Sequence, residues 1–521
     1  MGSLRYTEEG RVRCIRGCIV IVDGFQNCIN GQMIQFGYGT EGIILGFDAD
    51  EAQVLIVKEE EKIKTGDKAI ASLQPFNTPV GENFIGRIVN PLGETLDGLG
   101  PLEADAMYPI FIDAPGIMTR DPLCKTLQTG IKVVDTMIPC GFGQRELILG
   151  DKMTGKTTIV TDTILNQKGT DVICIYCGIG KARSAFAKVV QLFQTEGVFD
   201  YSIIVAAYAS APPGQQYLAP YVACSIGEYF MHQGKDVFIG FDDFTKHAWA
   251  YREISLLLGR PPGRDSYPGD IFYLHSKMIE RAAYMNKEHG QGSMTFFPIV
   301  EILEGDLTGY ISSNLVSMTD GQIYLSTPLF GEGQKPAVDL GLSVSRVGSK
   351  VQWKSVKKLS GSLRLEYVQY KELMRVSKLK TSGQSDEQAQ QLKGGEILSE
   401  LLKQDKDSPV PLVAQVLIFF AVKKKILHEM TIPEVKKFQI EILDYAKGKN
   451  PELLKIIAER QDLDEEIENG MTAVLEEYAK EIAILRPKDD EDDDAGFGAG
   501  TDALDAATSK EPKEGQEGKK E

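Results

Sequence analysis

The run Gly150-Asp151-Lys152-Met153-Thr154-Gly155-Lys156-Thr157, followed by Thr158, constrains this chain more than any other feature, because it fits G-x-x-x-x-G-K-[ST]. The pattern carries its meaning only between a strand and a helix. Glu146-Leu147-Ile148-Leu149 reads as a short buried strand and Thr157 to Asn166 as a helix, so the context is met. Glycines at 150 and 155 let backbone N–H groups turn inward on phosphate oxygens. Lys156 adds a point charge and the helix N-terminus its dipole. Thr157 then offers a hydroxyl to Mg²⁺. A nucleotide-binding domain follows.

Strands alternate with helix-length segments around this loop, so residues 73–353 are expected to form a largely parallel sheet flanked by helices, a P-loop nucleotide-binding unit. Ahead of it, short β-prone runs such as Cys18-Ile19-Val20-Ile21-Val22, Met33-Ile34-Gln35-Phe36 and Val54-Leu55-Ile56-Val57 are punctuated by Gly and Asn. Residues 1–72 therefore read as a β-barrel. Beyond 354, Gly and Pro thin out and helical spacing dominates, as in Leu359 to Leu373, Ile397 to Gln404 and Val413 to His428. A helical domain over 354–486 is expected. Residues 487–521 carry 12 acidic and 5 basic side chains with few large apolar groups, and are expected to stay disordered.

The formal net charge of −17 argues against nonspecific nucleic-acid binding. No run of 18 or more apolar residues occurs, and Met1-Gly2-Ser3-Leu4-Arg5 reads as neither a signal nor a transit peptide. The cysteines at 14, 18, 28, 124, 140, 174, 177 and 224 fall mostly in apolar or strand-like runs, which points to reduced thiols and a cytosol-like compartment. Cys174-Ile175-Tyr176-Cys177 has C-x-x-C spacing, but it sits in a β-prone run without a second pair, so structural thiols are expected.

A magnesium-nucleotide site needs an acid at the end of a neighbouring strand, and Val237-Phe238-Ile239-Gly240-Phe241-Asp242 supplies Asp242, with Asp243 placed to cap the helix after it. Hydrolysis also needs a carboxylate to polarise water, expected after the strand Val172 to Cys177. The chain there reads Gly178-Ile179-Gly180-Lys181. A protonated lysine binds charge but is no base, so this site is expected to bind nucleotide without turning it over.

These residues, with the blocks Gln128-Thr129-Gly130-Ile131-Lys132, Gly143-Gln144-Arg145-Glu146-Leu147-Ile148, Gln216-Tyr217-Leu218-Ala219-Pro220-Tyr221 and Arg260-Pro261-Pro262-Gly263-Arg264, resemble the F-type ATP synthase alpha subunit family. The block Pro268 to Ser276 and its continuation Glu280-Arg281-Ala282-Ala283 extend the likeness, which runs from about Gly10 to Leu485. The resemblance implies ATP or ADP with Mg²⁺ as ligands, Thr157 and Asp242 on the metal side, and Lys181, Lys335 and Gln404 among the nucleotide-binding residues. It makes Gly341-Leu342-Ser343-Val344-Ser345-Arg346-Val347-Gly348-Ser349 a segment reaching the neighbouring beta subunit's active site, with Arg346 as arginine finger and Ser343 required for activity. It also implies an alternating ring with beta subunits, a central-stalk gamma subunit, and a peripheral membrane complex on the cytoplasmic face of a bacterial inner membrane, moving H⁺ or Na⁺.

The chain departs from the usual pattern in places. Lys181 stands where Gln is common, Lys335 where Arg is frequent and Lys406 where a second Gln follows Gln404. Barrel-like sequence starts near Gly10, which leaves the helix that docks the peripheral-stalk delta and b subunits without a counterpart. Two other classes compete. A self-sufficient homohexameric export-type ATPase would carry its own water-polarising carboxylate, against Lys181. A Rho-like RNA translocator needs aromatics over a basic groove, whereas 9–72 hold only Phe25, Phe36, Tyr38 and Phe47 among many acids.

Overall fold

The computed structural model describes residues 8–377 and 386–485, and the expected disordered tail over 487–521 lies outside them. Six strands open the chain: β1 Glu8–Arg16, β2 Ile19–Asp23, β3 Gln32–Phe36, β4 Glu41–Phe47, β5 Glu51–Lys58 and β6 Lys68–Pro75. In β1, buried Glu8, Gly10 and Val12 alternate with exposed Glu9, Arg11 and Arg13, the two-residue period of a half-buried strand. The order β1-β2-β5-β4-β3-β6 closes through the antiparallel pair of β6 with β1, which leaves no open edge. Val12, Val20, Ile34, Phe36, Ile44 and Val54 pack together in one cluster. Ile19, Ile43, Leu55 and Val57 face the other way and join the core of the next domain.

The central sheet runs in the order Val344–Ser345, Gly321–Leu325, Glu146–Gly150, Ser293–Glu301, Asp236–Asp242, Ile173–Lys181, Ser202–Tyr208, Ile88–Val89. Its pairings are parallel apart from the edge strand Val344–Ser345 and the short Ala283–Tyr284, which pairs with Ser293–Glu301 off this row. Both faces are covered, which is why the strands read as near-continuous apolar runs. Ile148, Cys174, Tyr176 and Phe297 enter one core; Leu147, Leu149, Ile175, Cys177 and Phe296 enter the other. That alternation sends the Cys174 and Cys177 side chains to opposite faces of the sheet, so the C-x-x-C spacing makes no chelating pair.

Helices Lys354–Ser377, Asp386–Leu401, Leu412–Lys423, Ile432–Lys449, Pro451–Arg460 and Glu465–Leu485 follow. Leu412–Lys423 is apolar nearly all round and buried, as the helix in the middle of such a group must be. Leu363, Leu417, Phe420 and Ile467 share one core with Val134, Ile323 and Leu340 of the nucleotide unit. Two expected helices end earlier than their spacing suggests. Asp386–Leu401 stops short of Gln404, which lies in a loop. The run expected to continue to His428 breaks at Lys425, whose φ of 58° is left-handed, before a 3-10 turn over Ile426–Glu429. Among the described residues no helix is long and apolar enough to cross a membrane.

Candidate nucleotide site

The strand Glu146–Gly150 is buried along its whole length and delivers the phosphate loop to the C-terminal edge of the sheet. Gly150 has no room for a side chain: a Cβ would lie 2.7 Å from Thr154 Oγ1 and 2.9 Å from the Leu325 carbonyl. Gly155 takes a left-handed φ of 99° and starts helix Lys156–Leu165, the turn that aims backbone N–H groups into the loop. Lys156 Nζ lies folded onto the carbonyls of Gly150 at 2.8 Å and Asp151 at 2.5 Å, and burial holds its ammonium below the ordinary lysine range. Met153 is 90% exposed at the loop tip. Asp151 points its carboxylate away from the loop, accepting from Gly305 N at 3.0 Å and Thr327 Oγ1 at 2.6 Å, and so ties the loop to its neighbours.

A cavity of about 890 Å³ opens over this loop. Lys152, Met153, Thr154, Gly155, Lys156, Thr157, Thr158, Lys181, Asp242, Lys335 and Gln404 all line it, so one space gathers residues from widely separated parts of the chain. Gly150 and Asp151 do not line it. Its far wall is made by Ile131, Phe330, Pro336 and Ala337, an apolar patch suited to a flat base. Lys335 Nζ stands 5.2 Å over the Phe330 ring. Gln404 uses its amide to lock the wall: Nε2 donates to the Gly130 and Ser408 carbonyls at 2.8 Å each, and Oε1 accepts from Lys132 N at 3.0 Å. Sequence reasoning missed Phe330, Asp162 and Glu301. Phe330 follows no motif, and Asp162 is an ordinary helix residue whose carboxyl burial pushes up to about 7. Glu301 could have been found as an acid closing a buried strand; its partner is Lys152, at 3.3 Å.

Strands Ile173–Lys181 and Asp236–Asp242 are parallel neighbours with Gly178 opposite Asp242, which brings Lys181 and Asp242 together. Thr157 Oγ1 donates to Asp242 Oδ2 at 2.7 Å, Tyr176 OH donates to the same oxygen at 2.8 Å, and Lys181 Nζ lies 2.5 Å from Oδ1. The hydroxyl and carboxylate assigned to Mg²⁺ thus meet, as the motif requires. They do not fit the ion as arranged, because an ammonium already sits on both: Lys181 Nζ is also 3.4 Å from Thr157 Oγ1. Asp243 caps helix Phe244–Leu257 by accepting from Lys246 N at 2.8 Å; burial, with the Asp242 charge beside it, pushes its carboxyl up to about 6.

Arg346 and Ser343 lie elsewhere. Ser343 is fully buried on the stretch before the edge strand, its Oγ accepting from Tyr324 N at 2.9 Å. Arg346 lies just past that strand and is exposed; its backbone N–H donates to the Asp320 carbonyl at 2.7 Å and its Nη2 to the Val316 carbonyl at 3.2 Å. Neither residue lines the cavity.

A glycine-rich loop between a buried parallel strand and a helix, with an acid closing the strand two places along, defines a P-loop nucleotide-binding protein. The sequence profile of the nucleotide-binding domain of the ATP synthase alpha/beta family matches residues 130–345, and the profile of the C-terminal domain of that family matches 352–478. The protein is 46% identical over 478 residues to ATP synthase subunit alpha of Clostridium botulinum, covering 92% of its own length and 95% of that relative. It is 43% identical over 482 residues to the subunit alpha of Aquifex aeolicus, covering 92% and 94%. It belongs to the ATP synthase alpha/beta family, among the alpha subunits of F-type ATP synthase.

Proposed function

We propose that this protein holds ATP or ADP in its own site without hydrolysing it, and acts as the regulatory, non-catalytic partner of beta subunits in the head of a rotary ATP synthase. The observation that carries the reading is the end of strand Ile173–Lys181. Water attacking a γ-phosphate needs a group that orients it and takes its proton, and an ammonium does neither. The acids around the phosphate end are all engaged: Asp242 with Lys181, Glu301 with Lys152, Asp151 with Gly305 and Thr327, Asp243 as a helix cap. Arg346 sits past the edge strand of the sheet, away from this cavity, a position suited to a neighbour's active site, where it stabilises charge on the transferring phosphoryl group. Alternation with beta around a gamma stalk, stator contacts to delta and b, coupling to H⁺ or Na⁺ flow, and a place on the cytoplasmic face of a bacterial membrane complete the proposal.

The test is equilibrium nucleotide binding and steady-state hydrolysis by the purified full-length protein. Tight binding with almost no turnover is expected, and Lys156→Ala should strip the nucleotide. Vigorous hydrolysis by the protein alone would overturn the non-catalytic reading in favour of a self-sufficient ATPase. Failure to bind ATP or ADP would overturn the role of the loop.

A further inference from the structure

We propose that the Lys181 ammonium takes the place of the divalent cation in this protein's nucleotide site, so that ATP or ADP binds there without magnesium. The inference rests on the nucleotide-binding reading above. Asp242 is 1% exposed and both of its oxygens are committed, Oδ1 to Lys181 and Oδ2 to Thr157 and Tyr176. A single cation therefore already bridges the hydroxyl and the carboxylate that a metal would bridge.

The backbone aims the lysine. Gly180 takes a left-handed φ of 62°, and the pairing with Ser202–Tyr208 slips a residue between Ile179 and Lys181. Such a bulge redirects the side chain that follows it. A Cβ on Gly180 would lie 2.9 Å from Gln216 Oε1 and from Lys246 Cβ, so packing holds the bulge, while the Lys181 carbonyl accepts from Ala209 N at 2.9 Å. Inserting Mg²⁺ beside this ammonium would set three positive charges around Asp242 in a half-buried site, where their repulsion is weakly screened. The metal could enter only by expelling the lysine. The polyphosphate meets other cations in the same cavity, since among the described residues Lys156 contacts only backbone carbonyls and Lys335 stands over the Phe330 ring.

The experiment is calorimetric titration of the full-length protein with ATP, in excess MgCl₂ and in excess EDTA, followed by metal analysis of the desalted complex. For the native protein the two dissociation constants should agree within about threefold, and for Lys181→Gln chelation should weaken binding by about 100-fold. The native complex should retain nucleotide with far less than equimolar magnesium, and the variant should retain both together. A native protein that loses ATP on chelation and carries equimolar magnesium overturns the inference while leaving nucleotide binding intact. Magnesium-independent binding that persists in Lys181→Gln overturns the assignment to Lys181. No binding under either condition overturns the nucleotide-binding reading and this inference with it. The native-protein titration decides the matter even if the variant folds poorly.

Discussion

Arg346 and Ser343 are neighbours in sequence with different surroundings. The exposed guanidinium of Arg346 donates to the Val316 carbonyl from Nη2 alone among the described residues, so the rest of its planar fork is open to a partner. In a reconstituted complex, Arg346→Ala is expected to lower multi-site turnover by ~10³–10⁵ with much smaller effects on nucleotide affinity. Arg346→Lys should not rescue fully, because a point charge cannot reproduce two parallel N–H donors. Hydrolysis and binding, measured on rings whose size has been verified, separate the outcomes; near-normal turnover by an assembled Arg346→Ala ring would sink the assignment. Ser343, by contrast, spends its hydroxyl on Tyr324 N inside the protein. Ser343→Ala should strand that N–H and cost about 1–3 kcal/mol of stability in urea unfolding. A loss of activity with no loss of stability would mean that Ser343 acts on the reaction directly.

The elements around the phosphate loop approach one another more closely than side chains normally allow. Gly240 lets helix Lys156–Leu165 settle onto strand Asp236–Asp242: a Cβ there would lie 2.2 Å from Val160 Cγ1. Gly178 does the same for the Phe186 ring on helix Arg183–Glu196, again at 2.2 Å. Gly240→Ala should push the loop helix off the sheet, with a stability loss of about 1–3 kcal/mol and weaker ATP binding. Adding Val160→Ala should restore part of both, and a double-mutant cycle measures the coupling. Independent, additive effects of the two changes would show that this contact does not set the loop's height.

Across the whole molecule, polar groups are buried where the helical domain meets the nucleotide unit. Lys132 is fully buried; its Nζ donates to the Lys403 carbonyl at 2.6 Å, and burial brings its ammonium from 10.5 down to about 7, against the pull of Glu400 and Asp405. The sign follows from linkage. Below about pH 7 folded and unfolded forms both carry the proton; between about 7 and 10.5 the folded form has shed a proton that the unfolded form keeps. Stability should therefore rise with pH through that window relative to Lys132→Met, read as urea midpoints at several pH values. A pH-independent difference would mean that Lys132 stays charged in the fold. Asp135 closes the same joint, accepting from Thr129 and Gly130 on its own side and from Gln415 Nε2 at 2.8 Å across it.

The linear order of residues determined the phosphate loop, the buried strand before it, Asp242 at a strand end and the helical character beyond 354. These depend on local spacing, and glycine, lysine and apolar runs announce them directly. It also exposed the missing carboxylate, because Lys181 sits at a fixed distance after a legible strand. Only the tertiary structure decided that Lys181 reaches Asp242 and Thr157, since that contact needs a bulge at Gly180 and the parallel register of two strands with a long segment between them. The base-sized wall around Phe330 and the loop locked by Gln404 likewise come from segments far apart in the sequence, and no periodicity encodes their meeting. The barrel, too, was legible, as short β-prone runs punctuated by Gly and Asn. Its outward apolar face was not, because alternation tells which residues share a face but not whether that face meets water or another domain's core.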